Sequence, residues 1–295
     1  MEKDRRNYIW LNGQFFPSNQ PVLDADNRLF VYGDGVLETI HAYGTEGRHL
    51  TLHYERLIRG MKMLNLDIPA YFSADFLAKE ISRLLNKNRH YRSTAIRLSV
   101  YRNPSRDFIP ANNTVSILMH STPLDHDFYP YNTKGLIVDI YTEIKKPINV
   151  LSALETSNSL LYVMAGIFRD KFGVDDCLLI NEQNRLVESI SSNLFLIFGD
   201  QLYTPCLTEG CKDGIVRQLL VGKAAEWGYK IYPRAQIDAD MLVKADEVFI
   251  TDAISGIRWI VGVRHKRYFN KVSRELSLLL NRHTFPNQFK DGLMG

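Results

Sequence analysis

Val187-Glu188-Ser189-Ile190-Ser191-Ser192-Asn193-Leu194-Phe195 sets the end of one strand, a Ser/Asn-rich turn and the start of another strand side by side. Outward from it the text keeps the same grain. Asp176 to Ile180 and Leu194 to Phe198 are apolar runs of strand length, bounded by turns at Asn181 to Asn184 and Gly199-Asp200. Ile215 to Trp227 reads as a long helix closed by Gly228, the residue type favoured just past a helix end. Upstream, Leu136 to Tyr141 reads as a strand and Leu160 to Phe172 as a helix. Downstream, Val248 to Thr251 and Trp259 to Val263 finish a sheet. The first half alternates in the same way. Tyr8 to Phe16 is a hairpin around Asn12-Gly13, and Val36 to Tyr43 is a strand. Leu57, Met61 and Leu64 recur at helical spacing within a helix from His53 to Leu66. Phe76 to Leu85 is a second helix, and Ala95 to Val100 and Thr114 to His120 are strands. Strands and helices interleave in both halves, which indicates an α/β (α+β) class.

A chain of 295 residues is about two domains long. A segment with two prolines, several Asp or Asn residues and no periodicity marks a linker over 123–134, with an N-terminal α/β domain over 1–122 and a C-terminal one over 135–295. The net charge of +3 is too small to imply a nucleic-acid partner. No apolar h-region follows Met1 to Arg6, and no run approaches the ~18 apolar residues of a membrane helix. The expectation is a cytoplasmic protein without a membrane or nucleic-acid partner. Cys177, Cys206 and Cys211 are odd in number and lack C-x-x-C spacing, which argues against a disulfide framework and a zinc site. His41, His53 and His120 show no metal-ligand or triad spacing and are read as structural. No metal is expected.

Four separated stretches carry a resemblance: Gly33-Asp34-Gly35-Val36-Leu37-Glu38-Thr39 with His53-Tyr54-Glu55-Arg56-Leu57; Asn158 with the helix after it; residues 187–195 running on to Leu202-Tyr203-Thr204-Pro205; and Asp213-Gly214-Ile215-Val216-Arg217 with Ala245-Asp246-Glu247-Val248-Phe249. In order and spacing, from about residue 8 to residue 268, the chain resembles the class IV aminotransferases, the fold-type-IV pyridoxal-phosphate enzymes. These include branched-chain aminotransferase, D-amino-acid aminotransferase and 4-amino-4-deoxychorismate lyase. The resemblance implies a two-domain D-amino-acid aminotransferase-like fold, a cofactor cleft between the domains with its motifs concentrated in the C-terminal one, and a homodimer. It also implies a small amino acid or keto acid as substrate.

Arg56 matches the arginine such enzymes use against the cofactor phosphate, a task suited to a planar guanidinium fork; alone, it would read as a helix-surface arginine. Gly214, Ile215 and Val216 open a helix whose free N–H groups form an anion site. They resemble the family's phosphate cup, although Val216 and Ala253 stand where many relatives have threonine. Glu188 matches the glutamate facing the pyridine nitrogen, where a carboxylate keeps the ring protonated; without the motif it is an edge-strand glutamate. Asn193 belongs to the same cofactor-binding motif. Tyr32, Arg97 and Tyr101 are candidates for substrate contact, as is Arg102 after them, with core packing or surface placement the alternative for each.

Glu155 is the departure. The family keeps a lysine three residues before the asparagine, and here the text is Glu155-Thr156-Ser157-Asn158. A carboxylate cannot condense with an aldehyde, and the same lysine moves the proton that defines transamination. Two readings follow. In one, the chain is an aminotransferase-like or aminodeoxychorismate lyase-like enzyme with Glu155 in the catalytic position. In the other, it is a catalytically impaired relative that keeps a phosphate or ligand pocket. Pyridoxal 5'-phosphate is the expected cofactor, non-covalent or absent. Lys145, Lys146 and Lys212 are the lysines weighed as replacements. Ser159 matches neither the tyrosine of branched-chain enzymes nor the arginine of some lyases, so the subfamily stays open.

Overall fold

The computed structural model describes residues 7–105, 107–287 and 289. Met1 to Arg6, read above for a leader segment, lie outside the described residues. The chain divides into two compact units: residues up to Asp127 together with Leu154–Asn158, and Phe128–Ala153 together with Ser159 onward.

The first unit is a six-stranded antiparallel sheet of β1 (Tyr8–Leu11), β2 (Gln14–Pro17), β3 (Gly35–Tyr43), β4 (Glu46–Gly47), β5 (Thr94–Arg102) and β6 (Val115–Pro123), in the order β2-β1-β6-β5-β3-β4. A short helix, α1 (Arg28–Tyr32), enters β3. Two longer helices, α2 (Leu50–Met63) and α3 (Ala74–Asn88), lie between β4 and β5. Ile96, Leu98 and Val100 alternate along β5 and pack with Leu57, Met61, Leu77 and Ile81 of the helices, as the two-residue strand period and the helical period together require. Beyond its short pairing with β4, β3 is closed by Leu154–Asn158. The Leu37 N–H donates to the Glu155 carbonyl at 2.8 Å, the Ser157 N–H to the Gly35 carbonyl at 3.2 Å, and Val36 and Thr156 form an antiparallel bridge. Position 155 is thus held by backbone pairing on a sheet edge.

The second unit holds β7 (Leu136–Lys146), α4 (Leu160–Phe172), β8 (Asp176–Asn181), β9 (Leu186–Ser189), β10 (Asn193–Phe198), β11 (Gln201–Pro205), α5 (Ile215–Lys223), β12 (Lys230–Ala235), α6 (Ala239–Lys244), β13 (Glu247–Asp252), β14 (Gly256–Val263), β15 (Lys266–Arg267) and α7 (Lys271–Thr284). The strand order is β12-β11-β10-β13-β14-β7-β8-β9, and β9 pairs back onto β10. Six strands therefore close into a ring, sealed at one register, Asn193 opposite Glu188. One alternation face of the ring strands, including Val138, Leu178, Leu194, Leu196, Val248, Ile250 and Ile260, forms a single apolar cluster. The opposite face at β7 and β8, with Tyr141, Cys177 and Leu179, packs against Leu161, Tyr162, Met164, Ala165 and Phe168 of α4.

The pattern-based elements recur with shifted ends. α5 stops at Lys223 rather than Trp227. The Trp227 N–H is shared between the Lys223 and Ala224 carbonyls, a tightening typical of a last turn, and Gly228 leaves it with φ +85°. β7 runs on to Lys146 past a register shift against β8 between Tyr141 and Lys146, and Lys146 is buried while its neighbour Lys145 is exposed. No helix among the described residues is long and apolar enough to cross a membrane.

Candidate active site

Glu188 is aimed by an irregularity. Leu186 stands opposite Ile180, yet Glu188 stands opposite Leu179, so the register shifts between them. Such a shift re-aims the side chain that follows it. Glu188 consequently shares the α4 side with Leu179. Its Oε1 accepts from the Lys146 ammonium and from the Tyr162 hydroxyl (2.8 Å), and its Oε2 accepts from the Lys212 N–H (2.7 Å). The Lys146 ammonium also donates to the Tyr162 hydroxyl at 2.9 Å. Burial, the largest influence, and the like charge of Lys212 pull the Lys146 ammonium below its ordinary 10.5 against the attraction of Glu188. The Lys212 Nζ sits 3.9 Å from the centre of the Tyr162 ring, a cation–π contact.

Lys212 leads directly into α5. Its carbonyl accepts from Asn193 Nδ2 at 2.7 Å, and the Asp213 N–H donates to the Ala153 carbonyl. Gly214 is the helix N-cap and has no side chain of its own with which to cap the first turn. A Cβ at Gly214 would fall 2.0 Å from Asn193 Oδ1, so only glycine allows this approach. Arg217, the last residue of that motif, is buried and donates to the Pro205 and Pro233 carbonyls, tying α5 to the sheet. The turn at Ala253 has its Ile254 and Ser255 N–H groups taken by Asp252 Oδ1.

The second unit therefore gathers Glu188, Asn193, Gly214, Ile215 and Val216 around one ring closure. These residues fit the two ends of a pyridoxal-type cofactor: a helix N-terminus opened by a glycine for the phosphate, and a buried carboxylate for the ring nitrogen. A carboxylate has about four acceptor sites, and three on Glu188 are taken by the partners above. Position 155 brings no amine.

Arg56 lies in the first unit with a different set of partners. Its Nε donates to Glu38 Oε1 at 2.7 Å and its Nη2 to Glu38 Oε2 at 2.6 Å, while His53 Nδ1 lies 2.6 Å from the same Oε2. His53 is pulled below its usual 6.5, chiefly by burial. A neutral imidazole beside an acceptor-only carboxylate donates through Nδ1–H. Burial alone raises the Glu38 carboxyl, but the Arg56 charge and the His53 hydrogen bond outweigh it and hold it below 4.5. Asn158, from the second motif, donates to the Gly33 carbonyl at 3.1 Å, and its side chain fills the space a Cβ at Gly33 (φ +64°) would need.

Of the substrate candidates, Arg97 and Tyr101 stand apart. Arg97 is exposed in the middle of β5, opposite Thr39 and His120. Tyr101, four residues along the same strand and about 13 Å away, is buried. Tyr32 lies on α1, with the Arg28 guanidinium 4.8 Å from its ring centre and Phe108 5.2 Å away. Arg102 is committed to structure: its Nε donates to Asp34 at 3.0 Å and its Nη2 to the Leu64 carbonyl at 2.7 Å. Burial pushes the Cys177 and Cys211 thiols up to about 12, which leaves them un-nucleophilic at neutral pH. Among the described residues no cluster of His, Cys, Asp and Glu could hold a metal.

Pattern reading did not place Lys146, Tyr162, Glu38 or Lys212 in these clusters. Glu38 lay inside a quoted motif, whereas no alternation marks Lys146: residues 142–145 of β7 are all exposed and the pairing with β8 shifts register between Tyr141 and Lys146. Tyr162 carries no signal before α4 is docked.

A family model described as amino-transferase class IV matches residues 35–263. The aminodeoxychorismate lyase of Bacillus subtilis is 24% identical over 274 residues, covering 92% of each chain. The branched-chain aminotransferase of Thermoproteus uzoniensis, crystallised with norvaline, superposes with a TM-score of 0.87 at 21% identity, covering 96% of each chain. The branched-chain amino acid aminotransferase of Thermobaculum terrenum, in its PLP-form, gives a TM-score of 0.82 at 18% identity, covering 96% of this chain and 95% of that one. The matched segment contains the ring, the turn that seals it and the helix that follows, and on that basis this chain belongs to the class IV aminotransferase family.

Proposed function

We propose that this chain is a class IV relative that holds a phosphorylated pyridoxal-type cofactor without attaching it at position 155, and that it lacks the ordinary amino-transfer activity of the family. The observation that carries this reading is Glu155 itself, at the place matching the Schiff-base lysine and fixed by backbone pairing to Leu37. Gly214 would admit the phosphate to the Ile215 and Val216 N–H groups. Glu188 would face the ring nitrogen, and its charge favours the protonated ring. When bound, the cofactor supplies an electron sink for a carbanion. The Tyr162 hydroxyl and the Lys146 ammonium hold Glu188 Oε1 in place, so the carboxylate cannot swing away. Glu155 can accept or release a proton at its carboxylate but cannot condense with a carbonyl.

An amino acid or keto acid as the small-molecule partner, a homodimer and a cytoplasmic location belong to the same reading. The exposed apolar stripe Leu160, Val163 and Ile167 on α4 supports a second copy as its cover. The unpaired Cys177, Cys206 and Cys211 are consistent with a reducing compartment.

Pyridoxamine 5'-phosphate has no aldehyde and so probes the pocket alone; titrated against tryptophan fluorescence, it is expected to saturate and to be displaced by inorganic phosphate. Glu155→Lys is expected to transfer amino groups between amino and keto acids about 10²- to 10⁴-fold faster than the wild type, the usual worth of a positioned acid/base. A wild type as fast as the variant would end this reading.

A further inference from the structure

We infer that the second unit carries a further binding site, for a planar aromatic carboxylate, in a cavity against the edge strand β12. The site shares no residue with the cluster around Glu188 and does not depend on the cofactor reading. The cavity measures about 530 Å³, and Tyr203 of β11, Tyr232, Pro233 and Arg234 of β12, Gln236, and Met241 of α6 are among its walls. Small-molecule sites occupy ~300–1,000 Å³ and combine apolar and aromatic walls with a few placed polar groups.

Two features of these walls select the ligand. The Tyr203 and Tyr232 rings stack with centres 4.5 Å apart and planes 10° from parallel, and Tyr232 is still 42% exposed. Each ring covers only one face of the other, so a flat ligand in the cavity can lengthen the stack. Arg234 follows in an irregular part of the strand. Tyr232 stands opposite Tyr203 and Ala235 opposite Pro205, so Pro233 and Arg234 together stand against one residue of β11, Thr204. An extra residue of this kind re-aims the side chains around it. The Pro233 carbonyl accepts from Arg217 at 3.0 Å, which anchors the irregularity to α5. Among the described residues that line the cavity, Arg234 carries the one charge, and its guanidinium has no hydrogen-bond or ion-pair partner among the described residues. A lone guanidinium fork matches one carboxylate through two parallel N–H···O bonds. A doubly charged phosphate would call for a second cation, which these walls do not supply.

The test titrates the full chain with 2-naphthoate, followed by calorimetry. Two controls divide its features: 2-naphthamide keeps the rings without the charge, and octanoate keeps the charge without the rings. Saturable binding of 2-naphthoate is expected, at least about tenfold tighter than either control. Arg234→Gln should weaken it by about tenfold or more, and Tyr232→Leu by about fivefold. Both side chains are exposed, so the urea midpoints of the two variants should match the wild type. Their pyridoxamine 5'-phosphate titrations should also match it, whatever that titration gives, so failure of the cofactor reading leaves this one standing. A 2-naphthoate titration that does not saturate, or a control that binds as tightly, overturns the assignment without any variant. Unchanged affinity in both variants, or displacement of 2-naphthoate by pyridoxamine 5'-phosphate, overturns it as well, because the ligand then lies elsewhere.

Discussion

Glu38 in the first unit and Glu188 in the second are both buried among cationic and neutral donors, and the two clusters differ in what those partners can do. In the first unit, Glu38 is 1% exposed and is gripped by both the Nε and an Nη of Arg56, with His53 on the same oxygen. In the second, Glu188 is 2% exposed and holds a lysine, a tyrosine hydroxyl and a backbone N–H. Arginine stays charged at any accessible pH, so the first cluster is a fixed ion pair. Lysine can shed its proton when burial makes the charge costly, so the second is a titrating one. The lesson is that a rigid anchor and a chemically responsive site can look alike in a list of buried ion pairs. The identity of the cation separates them.

Breaking the fixed pair should have the largest effect. Glu38→Gln leaves the Arg56 guanidinium buried without a counter-charge and is expected to cost about 3–5 kcal/mol in urea unfolding. Glu188→Gln removes the partner of Lys146 but lets that amine neutralise itself, so a loss of roughly half that size is expected. This loss should also depend on pH. The folded Lys146 value lies below its ordinary 10.5, so between the two values the unfolded chain binds more protons and stability rises with pH. Lys146→Met should remove that upward slope below pH 10.5; equal slopes in the two proteins would contradict the titrating pair.

The smallest effect expected is that of His53→Gln, about 1 kcal/mol for one hydrogen bond. The folded His53 value lies below 6.5, so its contribution is present above pH 6.5 and is lost as pH falls through the window beneath it. The variant should show a flatter stability profile there. A profile that remains as steep would mean that another group carries the acid sensitivity.

Much of the fold could be read from pattern. The Asn12-Gly13 turn, the alternation along β5 and the span of α4 each rest on short-range sterics and periodicity. α7 could not be read so easily. Its first-turn N–H groups at Val272 and Ser273 are capped by Glu247 from β13, and no neighbouring residue announces such a cap. In the candidate site, motif spacing singled out Glu188, Gly214 and Arg56. It could not say that Arg56 spends two of its donors on Glu38, because that pairing depends on α2 lying against β3. Nor could it say that Lys146, rather than Lys145, meets Glu188, because β7 had first to extend to its full length.

The order of residues by itself determined the chemistry on offer: an acid at 155, a glycine at 214, a carboxylate at 188 and lysines at 145, 146 and 212. These are covalent facts that no packing can alter. Only the tertiary structure decided which of those groups meet. Closure of the ring needs β10 to pair with β13 and β14 with β7, strands far apart in the chain, and Glu188 meets Lys146 and Tyr162 only once β7 and α4 are docked beside it. Burial then sets the charge that a lysine will tolerate, because desolvation is a property of the packed interior and not of the side chain alone.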